Sequence, residues 1–147
     1  VNLVLDASVV VKGCVREDGH ETAHRLFAID AAWSAPSLLT IEVANTLWKK
    51  VRRGAFAAEA ATEAATEAVE RLPRPPIRDV ETVDLVAAAF ALATRLDHPV
   101  DDCCCLAVAE AEDGRVVTAD RRLLARVHGT AFAARAVELD AFVAARG

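Results

Sequence analysis

The chain opens on a short apolar run, Val1–Leu5, interrupted only by Asn2 and stopped by Asp6. Such a run before an acid predicts a buried strand, and Asp6 or Ser8 then offers a helix start. From Asp18 to Ala32 the residues Ala23, Leu26, Phe27 and Ala31 recur at helical spacing. Trp33-Ser34-Ala35-Pro36 reads as a break, and a third helix is predicted from Pro36 or Ser37 to Arg53. Its apolar positions are Leu38, Ile41, Leu47, Trp48 and Val51, and Gly54 stops it. Ala55–Leu72 repeats Ala-Ala-Thr-Glu, which predicts a helix with Glu59, Glu63 and Glu67 as a solvated stripe. Pro73, Pro75 and Pro76 end that region.

Beyond the prolines, strand and helix patterns alternate. Ile77–Val80 predicts a strand, Thr82–Leu96 a helix apolar on most faces, and His98-Pro99 a turn. Asp102–Glu110 follows as a buried helix, Asp113-Gly114 as a turn and Val116–Thr118 as a strand. Arg121–Val127 predicts another helix, and Ala133–Leu139 a last strand before a terminal helical turn. This alternation predicts an α/β fold, a mainly parallel sheet with helices on both faces. The 147 residues suit one domain, 1–147, with a sizeable core.

Composition narrows the functional classes. No apolar stretch approaches the ~20 residues of a bilayer span, so a membrane role is not expected. The early acid Asp6 also argues against a secretory signal. Three of the four cysteines, Cys103, Cys104 and Cys105, are consecutive and therefore diverge around a helix. They suit neither a disulfide framework nor a C-x-x-C knuckle, and a reducing cytoplasm is the expected location. The formal charge is −5, so any nucleic-acid role must rest on bound cations or a local patch. Two basic patches exist, Lys49, Lys50, Arg52, Arg53 and Arg121, Arg122, Arg126.

Open α/β sheets gather functional groups just past the carboxyl ends of their strands. Asp6 and Asp120 hold that position, while Glu42 and Asp102 sit in apolar helical segments. Taken singly, Asp6, Asp102 and Asp120 are each explained as helix caps, and Glu42 as a surface residue. Together they call for something more. Carboxylates about 5 Å apart repel by about 3 kcal/mol per pair at an effective dielectric near 20. A shared pocket therefore needs protonation or a cation, and an all-oxygen donor set suits Mg²⁺ or Mn²⁺ rather than zinc. The histidines are placed outside that set, His20 and His24 on a polar helix face, His98 and His128 in turns.

Four segments in series resemble the PIN domain, and more narrowly the VapC toxins of bacterial toxin–antitoxin pairs. They are Leu3-Val4-Leu5-Asp6-Ala7-Ser8, Ala35-Pro36-Ser37 with Ile41-Glu42-Val43-Ala44-Asn45, Asp102 before Leu106–Glu110, and Val117–Leu123 around Asp120. The resemblance spans essentially the whole chain. It implies a three-layer α/β/α fold and a metal-dependent endoribonuclease. Asp6 and Asp102 would be the principal metal ligands, with Asp120 holding a metal directly or through water. Glu42 would ligate or orient the attacking water, Ser8 would support Asp6, and Asn45 would face the same pocket. Mg²⁺, or alternatively Mn²⁺, would be the cofactor. Arg121 and Arg122 would grip an RNA backbone, unless they only form a solvated face. The family often carries aromatics where this chain has Asp101 and Cys105. Of the pair Asp101 and Asp102, the spacing to Leu106–Glu110 favours Asp102.

The resemblance also implies a homodimer and a VapB-like antitoxin whose tail crosses the site. Trp33, Leu47, Trp48 and Phe56 are expected either in the core or in the groove for that partner. The competing reading is a catalytically silent PIN-like module that binds RNA or protein, its acids holding metal only for stability. A dehalogenase-type phosphatase would need a second Asp at the position of Ser8, and none of the six glycines forms a phosphate-binding loop.

Overall fold

A computed structural model describes residues 2–55, 62–63, 66–67, 70 and 77–146. The helix expected over Ala55–Leu72, with Phe56 and the three prolines, lies largely outside these residues. Thr62, Glu63, Thr66, Glu67 and Glu70, which are described, are helical and exposed.

Five strands carry the fold: β1 (Asn2–Leu5), β2 (Ala32–Pro36), β3 (Ile77–Val80), β4 (Arg115–Thr118) and β5 (Ala136–Glu138). They form one sheet in the order β3-β2-β1-β4-β5, with every pairing parallel. The helices are α1 (Ala7–Cys14), α2 (His20–Phe27), α3 (Leu39–Arg52), α4 (Thr82–Leu96), α5 (Val100–Ala111), α6 (Arg121–Val127) and α7 (Leu139–Ala144).

The pleat divides the core in two. Leu3, Leu5 and Val117 point to one face and pack with Val9, Leu26, Val43, Leu47 and Phe142 from α1, α2, α3 and α7. Val4 and Val116 point to the other, against Leu85, Leu92, Leu106 and Leu123 from α4, α5 and α6. This is the expected α/β/α sandwich. Buried deepest is α5, whose Cys103–Ala109 run is buried without a break. Such a helix packs on every side, between α4 and the sheet.

One expectation is overturned. Trp33-Ser34-Ala35-Pro36 is a strand, not a break: it forms most of β2, in register with Leu3 and Val4 on one side and with Ile77–Val80 on the other. The four residues are buried on both faces, so they show no alternation. Pro36 is tolerated because it is the last residue of the strand. The third helix accordingly starts later than predicted, at Leu39.

The topology fixes where a site can form. From β1 the chain adds β2 and β3 on one side, then crosses over to β4 and β5 on the other. The order reverses between β1 and β4, and the crevice beyond their carboxyl ends is where open α/β sheets bind ligands. Asp6 follows β1 and Asp120 follows β4.

Leu106, fully buried on α5, and Val83, 76% exposed on α4, make a test of this packing. Leu106→Ala should cost about 2–5 kcal/mol in urea unfolding, whereas Val83→Ala should change stability by less than about 0.5 kcal/mol.

Candidate active site

The site is anchored on Asp6, which is 5% exposed at the junction of β1 and α1. It makes no cap bond to α1. Its Oδ2 instead accepts hydrogen bonds from the hydroxyls of Ser8 and, at 2.7 Å, Thr118. Each hydroxyl has a second task. Ser8 Oγ accepts the Ala119 N–H at 2.9 Å, and Thr118 Oγ1 accepts the Asp120 N–H at 2.9 Å. The carboxylate is thereby tied to the loop after β4. Burial raises the Asp6 pKa, the hydroxyls oppose that rise, and the charge of Asp120 adds to it.

Asp120 divides its two oxygens. Oδ1 caps α6 by accepting N–H groups from Arg122 at 2.8 Å and Leu123 at 3.3 Å. Oδ2 points back into the site, 3.8 Å from His98 Nε2. The capping explanation thus holds for one oxygen of Asp120. It fails for Asp6, and for Asp102, which lies in the first turn of α5 behind the N-cap Pro99.

Asp102 Oδ2 is 3.0 Å from His98 Nε2. Burial, then the charges of Asp101, Asp6 and Asp120, push its pKa up to about 6 against the opposing effect of His98. Glu42 comes in from the first turn of α3. Its Oε2 is buried with no hydrogen-bond partner. Burial, reinforced by Asp6, Asp101 and Asp102, pushes the Glu42 carboxyl up to about 8. Donor atoms of Glu42, Asp101 and Asp102 lie within 4.8 Å of one another, as do those of His98, Asp102 and Asp120.

The structure therefore brings together Asp6, Ser8, Glu42, Asp102 and Asp120. Asn45 is exposed one turn along α3 from Glu42, and Arg121 and Arg122 are exposed at the start of α6. Asp101 is exposed, yet within reach of Glu42 and Asp102. Three neighbours escaped the sequence reading. Thr118 is a fully buried polar residue ending a hydrophobic strand, which was a legible sign. Cys105 is buried with its thiol 3.8 Å from Asp6 Oδ1. His98 does lie in the predicted turn, but its side chain is only 5% exposed and faces the acids. The premise that no histidine is near the acids is thus corrected.

An acid set with raised pKa values and an unpartnered buried carboxylate oxygen is incomplete by itself. The donor chemistry fits a divalent cation, which would replace several repulsions by attractions. A cleft of about 880 Å³ lined by residues between Arg16 and His24 includes none of these acids.

A model of the PIN domain family matches residues 3–129. The chain belongs to the PIN-domain family. It is 32% identical over 123 residues to Ribonuclease VapC3 of Pyrobaculum aerophilum, which covers 84% of this chain and 92% of that protein. Its fold is also that of VapC20 of Mycobacterium tuberculosis, described as a sarcin-ricin loop cleaving toxin. That similarity has a TM-score of 0.66 at 20% identity, over 84% of this chain and 93% of the other. VapBC2 of Rickettsia felis, solved with a promoter DNA fragment, matches with a TM-score of 0.58 at 14% identity, over 94% and 98%. All four predicted acids of this PIN domain fall inside the matched residues.

The raised pKa of Glu42 makes metal-free stability depend on pH. A carboxyl whose pKa is higher folded than unfolded gives a contribution that is complete below the unfolded value and lost as pH rises through the folded one. For Glu42 that window runs from the ordinary 4.5 to about 8. In EDTA, Glu42→Gln should melt at a higher temperature than the parent at pH 8, with the gap closing toward pH 4.5. A constant gap in thermal melts across that range would contradict the assignment.

Proposed function

We propose that this chain is a metal-dependent endoribonuclease, the toxin of a VapBC-like pair, which hydrolyses RNA phosphodiester bonds at its acid cluster. The observation that carries this reading is the meeting of Asp6, Glu42, Asp102 and Asp120 at the switch point of a PIN-domain sheet. Kinship with Ribonuclease VapC3 supports RNA as the substrate class.

Asp6, Asp102 and the inward Oδ2 of Asp120 would hold the ion, Mg²⁺ or Mn²⁺, with Glu42 completing the set or facing the attacking water. When bound, that ion neutralises charge growing on the phosphoryl oxygens and lowers the pKa of water. Ser8 and Thr118 keep Asp6 in one orientation, since each hydroxyl is held by a backbone N–H of the next loop. Glu42, with a free oxygen, is placed to orient a water molecule and receive its proton. Asn45 extends the rim of the site. Arg121 and Arg122, exposed beside Asp120, serve as backbone contacts for the polyanion. The cytoplasm, where RNA is at hand and thiols stay reduced, is the matching location.

Two partners complete the proposal, a VapB-like antitoxin and a second copy of the chain. Trp33 and Leu47 are core residues, but Trp48 is 52% and Ile41 72% exposed on α3. The Arg52 guanidinium stacks over the Trp48 ring at 5.1 Å. A second apolar row, Val83, Val86 and Phe90, is exposed on α4. Exposed aromatic and aliphatic groups at helical spacing suit an amphipathic partner segment or a twin surface.

Purified chain incubated with a structured RNA pool should cut in Mg²⁺ or Mn²⁺ and not in EDTA. Asp6→Asn should lower the rate about 10²-fold or more, because charge stabilisation by a bound ion amounts to several kcal/mol. Undiminished cutting by a folded Asp6→Asn protein would misplace the site. Trp48→Ala should weaken antitoxin binding about tenfold or more while leaving cleavage within about twofold. Equal antitoxin binding by parent and variant would remove Trp48 from that interface.

A further inference from the structure

His98 stands out because it is the one basic side chain the fold buries against the acids among the described residues. Its side chain is 5% exposed, and Nε2 lies 3.0 Å from Asp102 Oδ2 and 3.8 Å from Asp120 Oδ2. Yet Nε2 is buried without a hydrogen-bond partner. At 3.0 Å a ring N–H aimed at the carboxylate would count as a good hydrogen bond, so the ring is aimed elsewhere.

That combination has a geometric explanation. Two donors bound side by side to an octahedral ion, each about 2.1 Å from it, lie about 3.0 Å apart, and opposite donors about 4.2 Å apart. Such donors point at the ion and not at each other. The 3.0 Å separation of Nε2 from Asp102 Oδ2 is that of side-by-side donors, and the 3.8 Å separation from Asp120 Oδ2 lies between the two values.

We infer that His98 is a nitrogen ligand of the ion held by Asp102 and Asp120, making the centre a mixed nitrogen–oxygen site that favours Mn²⁺ over Mg²⁺. The inference rests on the metal-dependent reading above and specifies its ion. Mg²⁺ is a hard cation that takes oxygen, whereas imidazole binds first-row transition ions well. The fold supplies the ring for this purpose at a cost. A buried imidazole nitrogen without a partner is destabilising unless something occupies it. The backbone is held on both sides of the ring: the His98 N–H donates to Ala93 C=O at 3.2 Å, and Pro99, the N-cap of α5, accepts the Cys103 N–H at 3.2 Å.

Pulsed electron paramagnetic resonance of the full chain loaded with Mn²⁺ alone tests this directly, since a coordinated imidazole gives a nitrogen coupling to the manganese. His98→Gln should remove that coupling. By calorimetry it should weaken Mn²⁺ about tenfold or more while changing Mg²⁺ less than about threefold. Asp102→Asn serves as the control that locates the ion. Manganese that is lost in Asp102→Asn but shows no nitrogen coupling in the parent overturns the ligand role and leaves the nuclease reading intact. A coupling that survives His98→Gln also overturns it, assigning the nitrogen to another histidine such as the adjacent pair His20 and His24. Absence of any saturable Mn²⁺ binding sensitive to Asp102→Asn overturns both this inference and the metal-dependent reading.

Discussion

Burying the carboxylate of Asp6 is the constraint from which the rest of the site follows. An isolated charge at 5% exposure is costly, and the chain answers with two hydroxyls, from α1 and from the last residue of β4. Neither hydroxyl is free to turn away, because each also accepts a backbone N–H from the loop that leads to α6. The result is a bolt across the gap where strand order reverses. It fixes the carboxyl ends of β1 and β4 relative to each other, so Asp120 is positioned by the same bonds that hold Asp6. A loss of either hydroxyl would therefore reach two acids at once.

Much of this was legible in the sequence, and the failures have physical causes. The apolar runs before Asp6 and Asp120 located two strands, and the acids after them marked the site. Glu42 and Asp102 stood out as charges in apolar helical segments. The strand β2 stayed hidden because Trp33, Ser34 and Ala35 are buried on both faces and lack β-branched residues, while Pro36 imitates a breaker. Four residues buried on two sides carry no period to read. His98 was hidden differently. A histidine before a proline correctly signals a turn, but nothing local shows that the turn folds its ring back onto residues four and twenty-two positions away. Its role depends on tertiary contact alone, as does the free oxygen of Glu42.

The central helix explains why α5 can depart from the family pattern. Cys103, Cys104 and Cys105 are small and apolar enough to fill a helix packed on all sides. Cys105 stands where the family often has an aromatic, and its thiol is directed to Asp6 Oδ1 at 3.8 Å and Leu5 O at 4.0 Å. Burial and the neighbouring acids hold that thiol well above its ordinary pKa, so it stays protonated and acts as a weak donor to the carboxylate. Asp101, at the other departure, has the opposite effect. It adds to the charge that raises both Glu42 and Asp102.

The basic side chains show what the chain itself does not neutralise. Lys50 pairs with Glu17, Arg78 with Glu112, Arg126 with Asp97 and Arg135 with Asp113, all away from the cluster. Among the described residues no lysine or arginine forms an ion pair with Asp6, Glu42, Asp102 or Asp120. Only His98 comes near, and an imidazole contributes at most one charge against four acids and Asp101. In a protein of formal charge −5 such a pocket would repel a polyanion, not receive one. The counter-charge has to arrive from outside. Under the proposed function a divalent ion would supply it, and a basic side chain on a bound antitoxin would satisfy the same need without chemistry. One excess of negative charge would thus serve both the proposed catalysis and its suppression.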